Sequence, residues 1–171
     1  SACLAEKGKR VLTIDMDPQG NTTSGLGIDK STVEHTSYQL LTNETTIWEA
    51  MTPSIVPGLS VIASERSLAG AEIELIGVED REFILKKEVD KVRDNYDFVI
   101  IDCPPSLNTL TVNAMTTADT VLVPIQCEYY ALEGLSELIY TIELVKERLN
   151  NKLEIEGVVF TMYDACLLYT S

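Results

Sequence analysis

Five short apolar, β-branched runs punctuate the chain: VLTI at 11–14, LSVI at 59–62, FVII at 98–101, VLVPI at 121–125 and GVVFT at 157–161. None alternates apolar and polar positions as a half-exposed sheet does, so strands covered on both faces are expected, and with them a parallel sheet. Between most of them the apolar period lengthens to that of a helix. In residues 131–149, Leu132, Leu135, Leu138, Ile139, Ile142, Val145 and Leu149 form one stripe, and shorter stripes run through 81–94 and 107–118. Ala2 to Lys7 has helix-forming residues, and Gly8 reads as the C-cap just before the first strand. Strand and helix in alternation predict an α/β fold with a doubly wound, mostly parallel sheet.

That architecture surrounds its ligand crevice with the loops leaving the C-terminal ends of the strands. Asp15 and Asp17 leave the first run and Asp102 leaves the third, so parallel strands would bring all three to one sheet edge.

Composition narrows the picture. The chain has 171 residues, 45% hydrophobic and 23% charged, enough for one compact domain and far from a disordered composition. Its formal charge of −14, from 27 acidic against 13 Lys and Arg residues, repels nucleic acid, and no basic stretch interrupts it. Cys3, Cys103, Cys127 and Cys166 lack the paired spacing of zinc or redox sites, and buried free thiols in a reducing cytosol are expected. Nothing resembles a signal peptide, and no apolar run approaches the roughly 18 residues needed to span a bilayer. The expected location is the cytoplasm.

An aspartate at the tip of an apolar strand, as in FVIIDCPPS, can hold Mg²⁺ and its water shell beside nucleotide phosphates, because Mg²⁺ keeps several waters and needs only one or two carboxylates. It can equally begin a turn. In VLTIDMDPQGN, Asp15 and Asp17 would point the same way on an extended chain, as a pair facing one site requires. One could join a metal's water shell while the other orients or deprotonates an attacking water. Two solvated carboxylates opening an Asp-Pro turn fit the same residues. Gly20, Gly25 and Gly27 in GNTTSGLG could admit a ligand, or simply loosen a loop.

Taken together, the motifs resemble one family. VLTIDMDPQGNTTSGLG is similar to the A′ motif of the ParA/Soj family, deviant Walker A ATPases that partition chromosomes and plasmids. FVIIDCPPSLNTLTVNAM resembles that family's Walker B element and following helix, and VLVPIQCEYYALEGL and GVVFTMYDA continue the likeness through Ala165. The resemblance implies a P-loop NTPase-like fold whose first strand precedes Ser1. It implies ATP and Mg²⁺ as cofactors, an ATP-dependent homodimer that binds DNA non-specifically, and a ParB-type centromere-binding partner that stimulates hydrolysis; no membrane is involved. Carried onto these positions, Asp17 would position and polarise the attacking water. Asp102 would hold Mg²⁺ through water, and Asp15 would support that metal shell. Gln19, Gly20 and Asn21 would lie in a switch near the dimer interface, and Met162 and Tyr163 in the loop near the adenine.

The departures define the expected limits. The family's Walker A loop, a Gly-rich KGGVGKT type of stretch with two lysines, is absent from these residues, and without it little would cradle the phosphates. Residues 1–165 therefore read as a partial ParA-type ATPase domain, and 166–171 (CLLYTS) as a tail resembling no part of the family. The family's basic, DNA-contacting helices are likewise expected outside an acidic nucleotide-binding part. A MinD-like ATPase would usually lack Pro-Gln-Gly after the second aspartate, so Pro18, Gln19 and Gly20 favour the partitioning reading. A nitrogenase-iron-protein relative would need cysteines after, rather than beside, Asp102, and a bacterial tyrosine kinase a tyrosine-rich tail. A non-catalytic α/β binding domain, with carboxylates that only shape turns, is the reading from another class.

Overall fold

The computed structural model describes residues 1–126 and 131–162. It falls into two compact units, Ser1–Thr117 and Ala118–Ser171.

In the first unit the chain runs through α1 (Ala2–Glu6), β1 (Val11–Asp15), α2 (Asn21–Gly25), α3 (Ser37–Leu41), α4 (Ile47–Ala50), β2 (Met51–Pro53), β3 (Leu59–Ile62), α5 (Leu68–Glu74), α6 (Ile84–Val89), β4 (Phe98–Asp102) and α7 (Thr109–Thr117). Its sheet has the order β2-β3-β1-β4. β1 lies parallel to both β3 and β4, and only the short edge strand β2 is antiparallel. Gly8 does close α1, at a φ of +79° that suits glycine.

Period-two alternation divides β1 and its neighbours between two apolar layers. Leu12 and Ile14 of β1 and Ile62 of β3 join one cluster, which takes Leu40 and Leu41 of α3, Ile47 of α4, Leu68 of α5, Leu85 of α6 and Leu110 of α7. Val11, Leu59 and Val61 face the other cluster, with Ala5 of α1 and Ile28. β1 is buried along its whole length, which is the both-face coverage its apolar run predicts. That expectation does not extend to β4, where Phe98 is exposed and the remaining residues are half-buried.

The second unit comprises β5 (Thr120–Gln126), α8 (Ala131–Arg148) and β6 (Glu154–Thr161), with β5 parallel to β6 and an irregularity between Val121 and Leu122. Ile142 and Val145 of the long apolar stripe are buried. Here too the expected two-sided cover is incomplete, since Leu122 and Phe160 are exposed.

The stripe over 81–94 does not make one helix. A 3₁₀ turn over Arg81–Phe83 precedes α6, and another over Arg93–Asn95 follows it. The break has a side-chain cause. In a continuous helix the Leu85 amide would donate to the Arg81 carbonyl four residues back. Instead Asn113, fully buried on α7, takes both groups: its Oδ1 accepts from the Leu85 amide at 3.2 Å and its Nδ2 donates to the Arg81 carbonyl at 2.9 Å. Replacing Asn113 with Ala strips both partners and is expected to lower stability by about 2 kcal/mol. Urea unfolding of the variant checks this, as a lower midpoint with an unchanged slope.

The cysteine expectation is corrected in part. Cys103 is half-buried, whereas Cys3 is exposed on α1, and both are free thiols. Cys127, Cys166 and the tail 166–171 lie outside the described residues.

Candidate functional site

β1 and β4 run in register, so that Asp15 and Asp102 end their strands side by side. Parallel neighbours about 4.8 Å apart carry paired residues on the same face of the sheet. The pairing continues one step further, where the Met16 amide donates to the Asp102 carbonyl at 2.8 Å. At the opposite end of these strands Asp97 accepts from the Arg10 amide at 2.8 Å, which fixes the same register from the other side.

Asp17 does not extend the strand. Its Oδ1 accepts the Gln19 amide at 3.0 Å, its carbonyl accepts the Gly20 amide at 2.8 Å, and Gly20 at φ +61°, ψ +39° turns the chain into α2. The Asx turn over Asp17, Pro18 and Gln19 begins at the second acid, so it follows the pair of Asp15 and Asp17 rather than separating it. The two acids meet, because Asp15 Oδ1 accepts the Asp17 amide at 3.1 Å.

Asp15 is fully buried and held by α2. Its Oδ2 accepts both the Thr23 amide at 2.8 Å and the Thr23 hydroxyl at 2.6 Å. Burial raises its pKa above the ordinary carboxylate value, against the lowering effect of those bonds, and the charge of Asp102 adds to the rise. The next residue back, Thr22, donates to Asp102 Oδ2 at 2.6 Å. Ser64, just past β3, ties the turn to the sheet: its hydroxyl donates to the Asp17 carbonyl at 2.7 Å and its amide to the Thr23 hydroxyl at 2.9 Å. Lys30 Nζ closes the outside by donating to the Gln19 carbonyl at 2.8 Å.

Cys103 follows Asp102 directly and is half-buried. Burial pushes its thiol up to about 12, and Asp102, Asp15 and Asp17 all contribute charge to that rise. Among the described residues none of the three carboxylates is in an ion pair. Nor do the described residues hold three or more His, Cys, Asp or Glu side chains grouped to cage a metal directly. The donor set therefore suits a cation that keeps its own waters and needs one or two carboxylates, which is the chemistry of Mg²⁺. Asp17 and Asp102 are half-exposed, so each is open to such a shell.

The structure thus brings Asp15, Asp17 and Asp102 together. Met162 belongs to the second unit, where it follows β6 with a φ of +52° and is exposed. Tyr163 lies outside the described residues. Thr22, Thr23, Ser64 and Lys30 do not stand out in the sequence by residue type. Ser64 carries one usable signal, since it follows an apolar strand on the same C-terminal edge as the acids.

A family model described as an AAA domain matches residues 1–155. The sporulation initiation inhibitor protein Soj of Bacillus subtilis is 54% identical over 164 residues, covering 96% of this chain and 65% of Soj. The chain belongs to the ParA/Soj family. The chromosome partitioning protein ParA of Caulobacter vibrioides is a second relative of this ParA/Soj chain, 52% identical over 163 residues, with 94% of this chain and 61% of that protein covered. The chain accordingly spans less than two thirds of the length of these relatives. Among solved structures, cobyrinic acid a,c-diamide synthase from Mycobacterium smegmatis with bound ATP analogue and magnesium matches with a TM-score of 0.91 at 38% identity, covering 96% of this chain and 67% of that one. A plasmid partition protein from Borrelia burgdorferi matches with a TM-score of 0.80 at 27% identity, covering 96% and 70%. The α/β, mostly parallel fold expected of a P-loop NTPase is the fold these relatives share.

Among the described residues, no helix is long and apolar enough to cross a membrane.

Proposed function

We propose that this chain is part of an ATP-hydrolysing switch that partitions chromosomes or plasmids, with the three carboxylates as its metal- and water-handling edge. The observation that supports it is their convergence at the tips of β1 and β4 with no cation paired to them among the described residues. Asp102 would hold Mg²⁺ through the ion's water shell. Asp15 would support that shell from behind, since both of its oxygens are spent on fixing Thr23 and the Asp17 amide. Asp17 commits only Oδ1 to its own turn, and Oδ2 accepts no hydrogen bond from the described residues. That oxygen is the one assigned to orient and polarise the attacking water. When bound, Mg²⁺ supplies charge neutralisation at the β- and γ-phosphate oxygens.

The remaining assignments follow the family. Gln19, Gly20 and Asn21 form a switch near the interface of an ATP-dependent homodimer, and Met162 and Tyr163 lie near the adenine. A ParB-type partner stimulates turnover, and the complete protein works in the cytoplasm on the nucleoid. Its non-specific DNA surface is assigned to parts of the complete protein beyond this acidic chain.

Calorimetry separates the two halves of the nucleotide site. The complete protein is expected to bind Mg-ATP, and Asp102→Ala to weaken Mg²⁺ binding to the nucleotide complex. The 171-residue chain holds no KGGVGKT-type loop and is expected to give no measurable Mg-ATP binding of its own. Tight binding by the chain alone would refute this division of labour.

A further inference from the structure

We infer that Thr22 is the residue that positions the Asp102 carboxylate, an inference that rests on the reading of Asp102 as the Mg²⁺-holding acid. The bond from Thr22 Oγ1 to Asp102 Oδ2 measures 2.6 Å, in the range of a hydroxyl donating to an ionised carboxylate. Asp102 is half-exposed at a strand tip, and among the described residues the Thr22 hydroxyl is the side-chain donor that reaches its carboxylate. It engages Oδ2 and leaves Oδ1, which accepts nothing from the described residues, as the oxygen for a metal's water.

The neighbouring residue makes the same kind of contact one strand over. Thr23 grips Asp15 with its amide and hydroxyl, so two consecutive hydroxyls on a single turn hold the acids of two paired strands. α2 has only five residues and no side-chain cap at its N-terminus. Such a helix is marginal alone and depends on what its side chains hold. Its two threonines anchor it to the acid pair, and Ser64 anchors Thr23 in turn to the end of β3. Whatever steadies Asp102 therefore steadies α2, and by reciprocity α2 steadies Asp102. A hydroxyl placed behind a metal-holding carboxylate in this way contributes on the order of 10- to 100-fold in metal affinity.

The test uses the complete protein carrying a non-hydrolysable ATP analogue, with Mg²⁺ affinity read by titration calorimetry. Thr22→Val keeps the side-chain shape and removes the hydroxyl; it is expected to weaken Mg²⁺ binding by about 10- to 100-fold. Thr22→Ser restores the donor and is expected to stay close to wild type. Analogue binding in excess chelator should be the same for all three proteins. Wild-type affinity in Thr22→Val, with Asp102→Ala weakened, would overturn the role of Thr22 alone. Unchanged affinity in Asp102→Ala would instead sink the metal assignment beneath it. A measurement on the unmutated protein is independent of any folding defect. Amides 22–25 should exchange more slowly with Mg²⁺ than with chelator at constant analogue, and equal rates would count against the coupling.

Discussion

Replacing Asp17 with Ala in the complete protein is expected to reduce ATP turnover, measured with DNA and the partner present, by about 100-fold or more, while Mg-ATP affinity changes little. The reasoning is positional. Asp17 follows the strand that carries Asp15, its amide donates to Asp15 Oδ1 at 3.1 Å, and Asp15 pairs in register with Asp102. On the proposed reading the Asp17 carboxylate acts on the attacking water, so its loss should tell on the step rather than on binding. The alanine variant also loses the bond from the Gln19 amide to Oδ1, so a fall in turnover could arise from a collapsed turn. Asp17→Asn separates the two effects. It keeps a carbonyl oxygen for Gln19 and removes the charge and the basicity, so it should lose turnover as Asp17→Ala does while holding its thermal midpoint. If Asp17→Asn turns over ATP like the wild type, Asp17 serves only the turn, which is the non-catalytic reading of the same residue.

The turn reading of Asp17 is visible in its Oδ1, which accepts the Gln19 amide, and the proposed catalytic role falls to its other oxygen. Much of the surrounding frame was legible because it depends on local pattern. All five apolar runs are strands, and β1 is buried on both faces as an unbroken apolar run implies. The register that places Asp15 beside Asp102 follows from parallel pairing of two runs that both end in aspartate. What was missed depends on contacts distant in the chain or on signals too short for periodicity. α3 and α4 are five and four residues long, too brief for an apolar stripe. Their capping boxes were nevertheless written in the sequence as Thr36 with Gln39 and Thr46 with Glu49. The break before α6 could not be read locally, because Asn113 makes it from 28 residues away. The same holds for the site. The aspartates announce themselves by their strand ends, whereas Thr22 and Ser64 matter through partners 80 and 47 residues distant.

Gly20→Ala should be the most damaging single change in the frame of the site, with a stability loss of about 2–5 kcal/mol. Two costs combine. At φ +61° an alanine pays about 1–2 kcal/mol for the left-handed conformation. Its Cβ would also stand 2.7 Å from the Ser64 carbonyl oxygen and 2.5 Å from Lys30 Nζ, and forced overpacking of this kind costs typically about 1–3 kcal/mol. The lysine end can swing away, but the Ser64 carbonyl is backbone at the end of β3. Moving it drags the Ser64 amide from Thr23 and the Ser64 hydroxyl from Asp17, so the strain reaches both acids. Adding Lys30→Ala should therefore recover only a small part of the loss. Gly25→Ala supplies the contrast within the same α2: no atom lies within 4 Å of its added Cβ, and its backbone needs no positive φ. There alanine is expected to be neutral or to stabilise by up to about 1 kcal/mol, through the entropy glycine forfeits in a helix. Urea midpoints of the two variants side by side decide the matter, and equal midpoints would mean that the close approach of Gly20 to Ser64 does not constrain the turn.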